Sequence, residues 1–300
     1  MFKNYGLINE ELFGDEEVFG GSQTLEILQQ DRNWIPFLPI KELQNLFHET
    51  WGCTVFALLN CFEIWGKRVY GVELNKSDRF SNKMAGTVPN WGNTMRGSFE
   101  TFPRDGWVDE AIYPFNSKSV QEYYQTIPQH IIDLAKSEGE KVEFSRQIIS
   151  GVLTPEKLWD ALQYSPLRVT VLAWEEPVNG VYRRSSIDFW NHLVTLVKGE
   201  YKKSWWIFDH YDQDIKELSW DFRFGSVDIP TFKFKNMNNP FVRIVKDENS
   251  NAVGFFVPAT SPDALTSMSL AYNKEIVKLE NGDIDWSKTI EGSVKLEQPL

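Results

Sequence analysis

Apolar residues crowd most densely just after Gly52. The run Cys53-Thr54-Val55-Phe56-Ala57-Leu58-Leu59-Asn60-Cys61-Phe62-Glu63-Ile64-Trp65 has no Gly or Pro and is apolar nearly all round. That pattern predicts a buried helix ending at Gly66. Further helices are predicted over Thr94–Arg104, Val120–Ser137 and Pro155–Gln163, the last with Thr154 as N-cap and Pro155 in the first helical position. After Pro166 the texture changes to β-rich runs: Arg168–Ala173, His192–Lys198, Ser204–Phe208 and Thr231–Phe234. Helices first and strands second imply an α+β fold rather than a doubly wound sheet.

The same pattern divides the chain into three parts. Residues 1–33 are mixed and turn-rich, a lead-in expected to hug the surface, and residues 34–235 form the main domain. Residues 236–300 form a small C-terminal extension. In it, Val242–Val245 and Val253–Val257 flank Asp247-Glu248-Asn249-Ser250-Asn251 as a hairpin, and Ser261-Pro262-Asp263 opens a helix running to Asn273. About 65 residues with few long helices make a marginal core alone, so the extension is expected to dock on the main domain.

Bulk properties narrow the function. With 300 residues and 42% apolar content, the chain is one large domain or two modest ones with a real core. The net charge of −11 and the lack of a dense Lys/Arg run argue against nucleic acid as a partner. No apolar run reads as a signal peptide or a membrane span. The two cysteines, Cys53 and Cys61, sit eight apart on one predicted helix, roughly 12 Å of rise, too far to bridge. An intracellular, reducing compartment is expected from that usage.

Cofactor and metal chemistry find no foothold. There is no phosphate-binding glycine loop, no Gly-x-Gly-x-x-Gly and no Gly-x-Ser-x-Gly elbow. His48-Glu49 begins like a zinc-peptidase helix, but the residue four after His48 is Gly52. Neither a metal nor another cofactor is expected. What remains is a thiol. A cysteine opening a helix has its sulfur beside unpaired N–H groups and the positive end of the dipole, which favour thiolate and should lower its pKa. Cys53 sits there. His192 heads a strand 139 residues later, and Asp209 ends the next strand, where a hairpin would bring it beside His192. Cys53 as a buried small hydrophobe is the plain alternative.

Several segments around these residues are similar to papain-like cysteine peptidases. Gln44 precedes Trp51-Gly52-Cys53-Thr54-Val55-Phe56-Ala57, and Asn90-Trp91-Gly92-Asn93 resembles that family's Asn-Gly-Gly segment. Phe102–Phe115, ending Tyr113-Pro114-Phe115, resembles its Tyr-Pro-Tyr segment, and Pro166–Ala173 its "Gly-Pro" strand. Asn191-His192-Leu193 resembles the histidine strand, and Trp205–Tyr211 stands where the family has Trp-x-x-x-Asn-Ser-Trp. The six segments keep the family's order across roughly residues 34–235.

The resemblance implies a two-lobed fold: a helical lobe carrying the nucleophile helix, then an antiparallel β-barrel-like lobe. It implies Cys53, His192, Asp209 and Gln44 as catalytic residues, Gln44 donating to an oxyanion with the Cys53 N–H. Gly92, Trp91 and Trp51 would line the substrate cleft. A peptide or protein substrate is implied, a cell-wall peptide included, with transamidation as a variant. Four departures stand out. Thr54 replaces the family's Trp, Asp209 replaces Asn, Tyr211 stands in for the indole that shields that contact, and the loop from Gln44 to Cys53 is long. They motivate an alternative, a catalytically silent papain-like scaffold for binding or assembly. A virion-borne role is a further possibility that relatives of this kind raise. His48, His130 and His210 are expected at the surface or in packing, with His210 on a solvated loop end.

Overall fold

A computed structural model describes residues 3–10, 17–21, 25–40, 42–212 and 215–235, and the backbone of 243–246 and 252–256. The chain divides into two compact units, Met1–Trp65 with Leu74–Lys235, and Gly66–Glu73 with Asn236–Leu300.

The expected helix forms as α1, Cys53–Tyr70. Cys53, Val55, Ala57, Leu58, Cys61, Phe62 and Ile64 are wholly buried along it, each large apolar side chain contributing roughly 1.5–3 kcal/mol. It runs past Gly66, because one interior glycine costs only about 1 kcal/mol, and ends where Gly71 turns to φ 66°. Short α2 (Asp78–Met84) and α3 (Met95–Asp105) follow, each with a side-chain cap. The Thr94 hydroxyl accepts from Gly97 N–H at 2.9 Å. The single helix expected over 120–137 is two, α4 (Val120–Tyr123) and α5 (Gln129–Gly139). Pro128 separates them, since the residue before a proline is pushed out of helical geometry. In α6 (Pro155–Ala161) Thr154 caps and Pro155 leads, as read from sequence.

The strands are β1 (Val142–Ile148), β2 (Leu167–Val171), β3 (Val181–Tyr182), β4 (His192–Glu200), β5 (Ser204–Phe208), β6 (Ile215–Ser219) and β7 (Val227–Phe234). They form one sheet in the order β1-β7-β2-β4-β5-β6-β3. All its pairings are antiparallel except β3 with β6 at one edge. Central β4 lies between β2 and β5, with Val171 opposite His192 and Thr195 opposite Phe208. Its Val194, Leu196 and Val197 are buried in one core with Trp34, Ile64, Leu162, Val169 and Trp205. Other aromatics gather around α1 apart from that core: Phe62 lies 5.1 Å from the Trp107 ring and 5.0 Å from Phe232.

Arg168 joins sheet to helices. Fully buried on β2, it donates to Asp228 Oδ1 of β7 (2.8 Å), Ser98 Oγ (2.9 Å) and the Met95 carbonyl (3.0 Å) of α3. A guanidinium is suited to this because its five donors point in fixed directions.

The second unit holds the expected hairpin, β8 (Arg243–Lys246) with β9 (Ala252–Phe256), paired antiparallel with Arg243 opposite Phe256. The helix expected at Ser261–Asn273 and the docking of the extension lie outside the described residues. No helix among the described residues is long and apolar enough to cross a membrane.

Candidate active site

The β4–β5 hairpin sets the first contact. Asp209 leaves β5 directly and comes beside His192 at the head of β4, and His192 Nε2 lies 2.9 Å from Asp209 Oδ1. Both side chains are wholly buried. Asp209 is saturated with donors. Its Oδ1 also accepts from Tyr211 N–H at 3.0 Å, and its Oδ2 accepts from the Trp174 indole at 2.7 Å and faces Lys216 Nζ at 3.1 Å. Burial alone would raise this carboxyl, but His192 and Lys216 outweigh it and hold the group well below the usual carboxylate range.

Cys53 opens α1 after Gly52, where a Cβ would come within 2.8 Å of the Asn82 side chain. The thiol sits against Leu193, the neighbour of His192, in a cluster with Leu7, Ala57 and Met95. The expectation of a lowered thiol pKa is corrected. Burial pushes Cys53 up, with the Leu193 and Thr54 N–H groups pulling the other way and the charges of Glu49 and Asp209 adding to the rise. Water exclusion outweighs the helix start here. His192 Nδ1, the ring nitrogen turned away from Asp209, is buried and makes no hydrogen bond. The thiol and the imidazole are therefore not hydrogen-bonded to one another.

The cause of the closure is the chain's own start. Within the lead-in, residues 3–10 lie against the site, with Gly6 and Leu7 buried and Lys3, Asn4, Ile8 and Asn9 exposed. The Tyr5 ring lies 4.6 Å from the His192 ring, and the Gln44 side-chain amide donates to the Tyr5 carbonyl at 3.1 Å. Asn93 N–H donates to the Gly6 carbonyl (3.0 Å) and Ile8 N–H to the Asn93 carbonyl (2.9 Å), a parallel bridge. Tyr5 N–H and Asn9 Nδ2 bond to the carbonyls of Asn191 and Trp190 on the opposite side. Leu7 is buried against Cys53, Met95 and Leu193.

Gln44 is fully buried, not a surface turn residue. Its second partner is Glu49 Oε1 at 2.9 Å, and the Thr50 hydroxyl bonds back to the Gln44 carbonyl, so the long loop folds inward on itself. Gly92, at φ 94°, lies against the inserted segment: a Cβ there would sit 1.8 Å from the Gly6 carbonyl. Trp91 is mostly exposed on the adjoining turn and Trp51 is half-buried with φ 54°.

One expectation about this region is overturned. His210 is not on a solvated end. It is wholly buried, stacked on Phe56 at 5.5 Å and 5.1 Å from the His192 ring, and burial lowers its pKa to about 3. The Tyr211 ring lies edge-on 6.3 Å from the His192 ring, with its hydroxyl on Glu49 Oε2 at 2.8 Å. Trp174, from the segment after β2, adds an indole at 6.5 Å from that ring. Sequence reasoning missed Tyr5, Trp174 and Lys216. An isolated Trp174 before the acidic pair Glu175-Glu176 was the one visible signal, and the other two gave none.

No protein-family model matches the sequence, and no curated protein matches it. Solved structures do. Xylellain, a cysteine protease from Xylella fastidiosa, aligns with a TM-score of 0.55 at 13% identity, over 78% of this chain and 96% of that one. Digestive procathepsin L 3 of the Tenebrio molitor larval midgut gives 0.51 at 12% identity, over 72% and 73%. A structure from work on the mite allergens Blo t 1 and Der p 1 gives 0.51 at 15%, over 72% and 74%. With helices carrying Cys53 and a sheet carrying His192 and Asp209, this chain has the papain-like fold.

Proposed function

We propose that the protein is a cysteine peptidase acting through a Cys53 acyl-enzyme, in protein or peptide substrates. One observation carries this: Gln44 holds a peptide carbonyl, that of Tyr5, whose ring lies against an imidazole with one nitrogen fixed by Asp209 and the other unused. With residues 3–10 withdrawn, His192 takes the Cys53 proton and the thiolate attacks the scissile carbonyl carbon. The oxyanion rests on the Gln44 amide and the Cys53 N–H. Imidazolium gives its proton to the leaving amine as the C–N bond breaks, leaving a thioester. Water then adds, losing a proton to His192, and the C–S bond breaks to release the acid and the thiol. The apolar nest that Leu7 fills supports a preference for an aliphatic substrate side chain at that distance from the bond.

The sealed thiol and the missing thiol–imidazole hydrogen bond favour the second reading, a silent binding or assembly scaffold. Casein hydrolysis by wild type, Cys53→Ala and His192→Ala, each with Tyr5→Ala and Leu7→Ala added to open the cleft, separates the two. Hydrolysis that vanishes with either catalytic change supports the peptidase. No hydrolysis from the opened, folded parent would leave the scaffold.

A further inference from the structure

The group that orients His192 is a carboxylate, and a bare carboxylate is poorly suited to a thiolate site. It adds a full negative charge beside the nucleophile, and the Asp209 charge does push the Cys53 thiol upward. It also favours the doubly protonated ring, which must surrender its Nδ1 proton to the leaving amine. An amide in this place would hold the ring without either effect.

The chain supplies a compensating cation. Lys216, opposite Ile207 where β6 pairs with β5, is 6% exposed and reaches Asp209 Oδ2 at 3.1 Å. Its ammonium also bonds both oxygens of Asp212, which is half-exposed. Burial works against the lysine's charge, and the two aspartates outweigh it and keep it protonated. A buried ammonium costs several kcal/mol to desolvate, so a fold needing only an anchor for Asp209 had the Trp174 indole and the Tyr211 N–H already.

We propose that Lys216 is a positioning residue of this site: its ammonium, shared with half-exposed Asp212, offsets the Asp209 carboxylate, so that the buried pair holds His192 with less negative charge beside the thiolate. This rests on the peptidase reading for its purpose, but not for its test.

The other groups facing the centre do not supply that charge. From the chain start come Tyr5 and Lys3, and Lys3 is paired with Glu49 at 3.8 Å. Glu49 itself, from the loop before α1, is bonded by Gln44, Trp51 N–H and Tyr211. α1 presents Cys53 and the Phe56 ring, the latter stacked on His210. His210 is neutral, and Trp174 and Tyr182 after β2 are uncharged, their rings tilted against one another at 5.2 Å. Among the described residues, Lys216 is thus the permanent cation in contact with Asp209.

The experiment is a pH titration of the His192 ring by NMR on ¹⁵N-histidine-labelled full-length protein. The samples are wild type, Lys216→Met, Asp209→Asn and the double variant. Lys216→Met leaves Asp209 with His192 as its cation, so the ring should hold its proton to a pH higher by about one unit or more. The double variant should return to within about half a unit of wild type. Asp209→Asn alone should lower the urea midpoint, because it strands the buried ammonium on Asp212. A lysine that only props the fold would leave the titration unmoved, and Asp209→Asn would not rescue its loss. Should Lys216→Met fail to fold, the double variant decides: folding with a wild-type titration supports the charge-offsetting pair, and failure to fold overturns it. Coupled titrations in a protein without peptidase activity would sink the peptidase reading alone, and uncoupled titrations in an active one would sink the role of Lys216 alone.

Discussion

The side-chain amide of Gln44 donates to the backbone carbonyl of Tyr5 at 3.1 Å, and the Tyr5 ring lies 4.6 Å from His192. Tyr5 therefore occupies both groups to which the proposed peptidase reaction assigns oxyanion binding and proton transfer. Docking of the segment rests mainly on Tyr5 and Leu7, whose burial contributes roughly 1.5–3 kcal/mol for a full side chain.

Replacing both Tyr5 and Leu7 by Ala should open the cleft. The expected outcome is iodoacetamide labelling of Cys53 at least about tenfold faster than in wild type, with Cys61 unchanged. Cys61 lies deeper on α1 with its thiol against the Pro166 carbonyl at 3.6 Å. Mass spectrometry of the two cysteine peptides over a time course gives both rates. Equal acceleration at both cysteines would mean that the fold had loosened and the segment is no plug.

Gly92 offers an independent handle on the same contact. Its φ of 94° and the 1.8 Å approach of a Cβ to the Gly6 carbonyl leave no room for a side chain. Gly92→Ala should cost about 1–2 kcal/mol of stability from the backbone alone and should also expel residues 6–8. Faster Cys53 labelling with a modestly lower urea midpoint is expected. Slower or unchanged labelling would show that the segment can shift without leaving.

Arg168 is the test of how the helices are held to the sheet. Arg168→Met keeps volume but strands buried Asp228, whose remaining ionic contact is Arg146 at 3.4 Å. Breaking a buried pair from one side costs about 3–5 kcal/mol. Urea denaturation followed by tryptophan fluorescence should show a loss of that order, and a loss below about 1 kcal/mol would mean that the pair adds little to the fold.

The segments that could be read from sequence were those with a local reason for their shape. A run of apolar residues after Gly52 and a Thr154-Pro155 start allow few conformations, and the hairpin between His192 and Asp209 follows from strand lengths. Strand β1 escaped notice because Glu143, Ser145, Arg146 and Gln147 break its apolar pattern, and β6 because Lys216 and Glu217 do the same. Yet Lys216 is buried, its charge answered by Asp209 from another strand. Tyr5, Trp174 and Lys216 reach the site from places 187, 18 and 24 residues away from His192 along the chain. Nothing in their own neighbourhoods signals that convergence, and the closure that raises the Cys53 thiol is likewise a product of tertiary contacts.

A last prediction concerns pH. Burial raises the carboxyl groups of Glu42, Glu63, Asp78 and Glu110, which also repel one another. Glu63 accepts the Lys76 N–H at 2.7 Å and Glu110 the Phe115 N–H at 2.5 Å, contacts that partly offset the burial. Glu110 is pushed to about 7 from an ordinary 4.5. The folded protein thus holds the Glu110 proton more tightly than the unfolded chain does. Its contribution is complete below pH about 4.5 and declines as pH rises through the window to about 7, after which it stays lost. His210 works in the opposite sense. Its lowered value means that the unfolded chain takes up a proton near 6.5 that the buried ring refuses until about 3, so stability falls with acid there. Raw stability curves mix the two, and a difference between variants removes the His210 part. The urea midpoint of wild type minus that of Glu110→Gln should therefore fall steadily from pH 4.5 to 7 and level off above. A difference that is flat across this range, or that grows with pH, would mean that Glu110 ionises in the folded protein as freely as in the unfolded one.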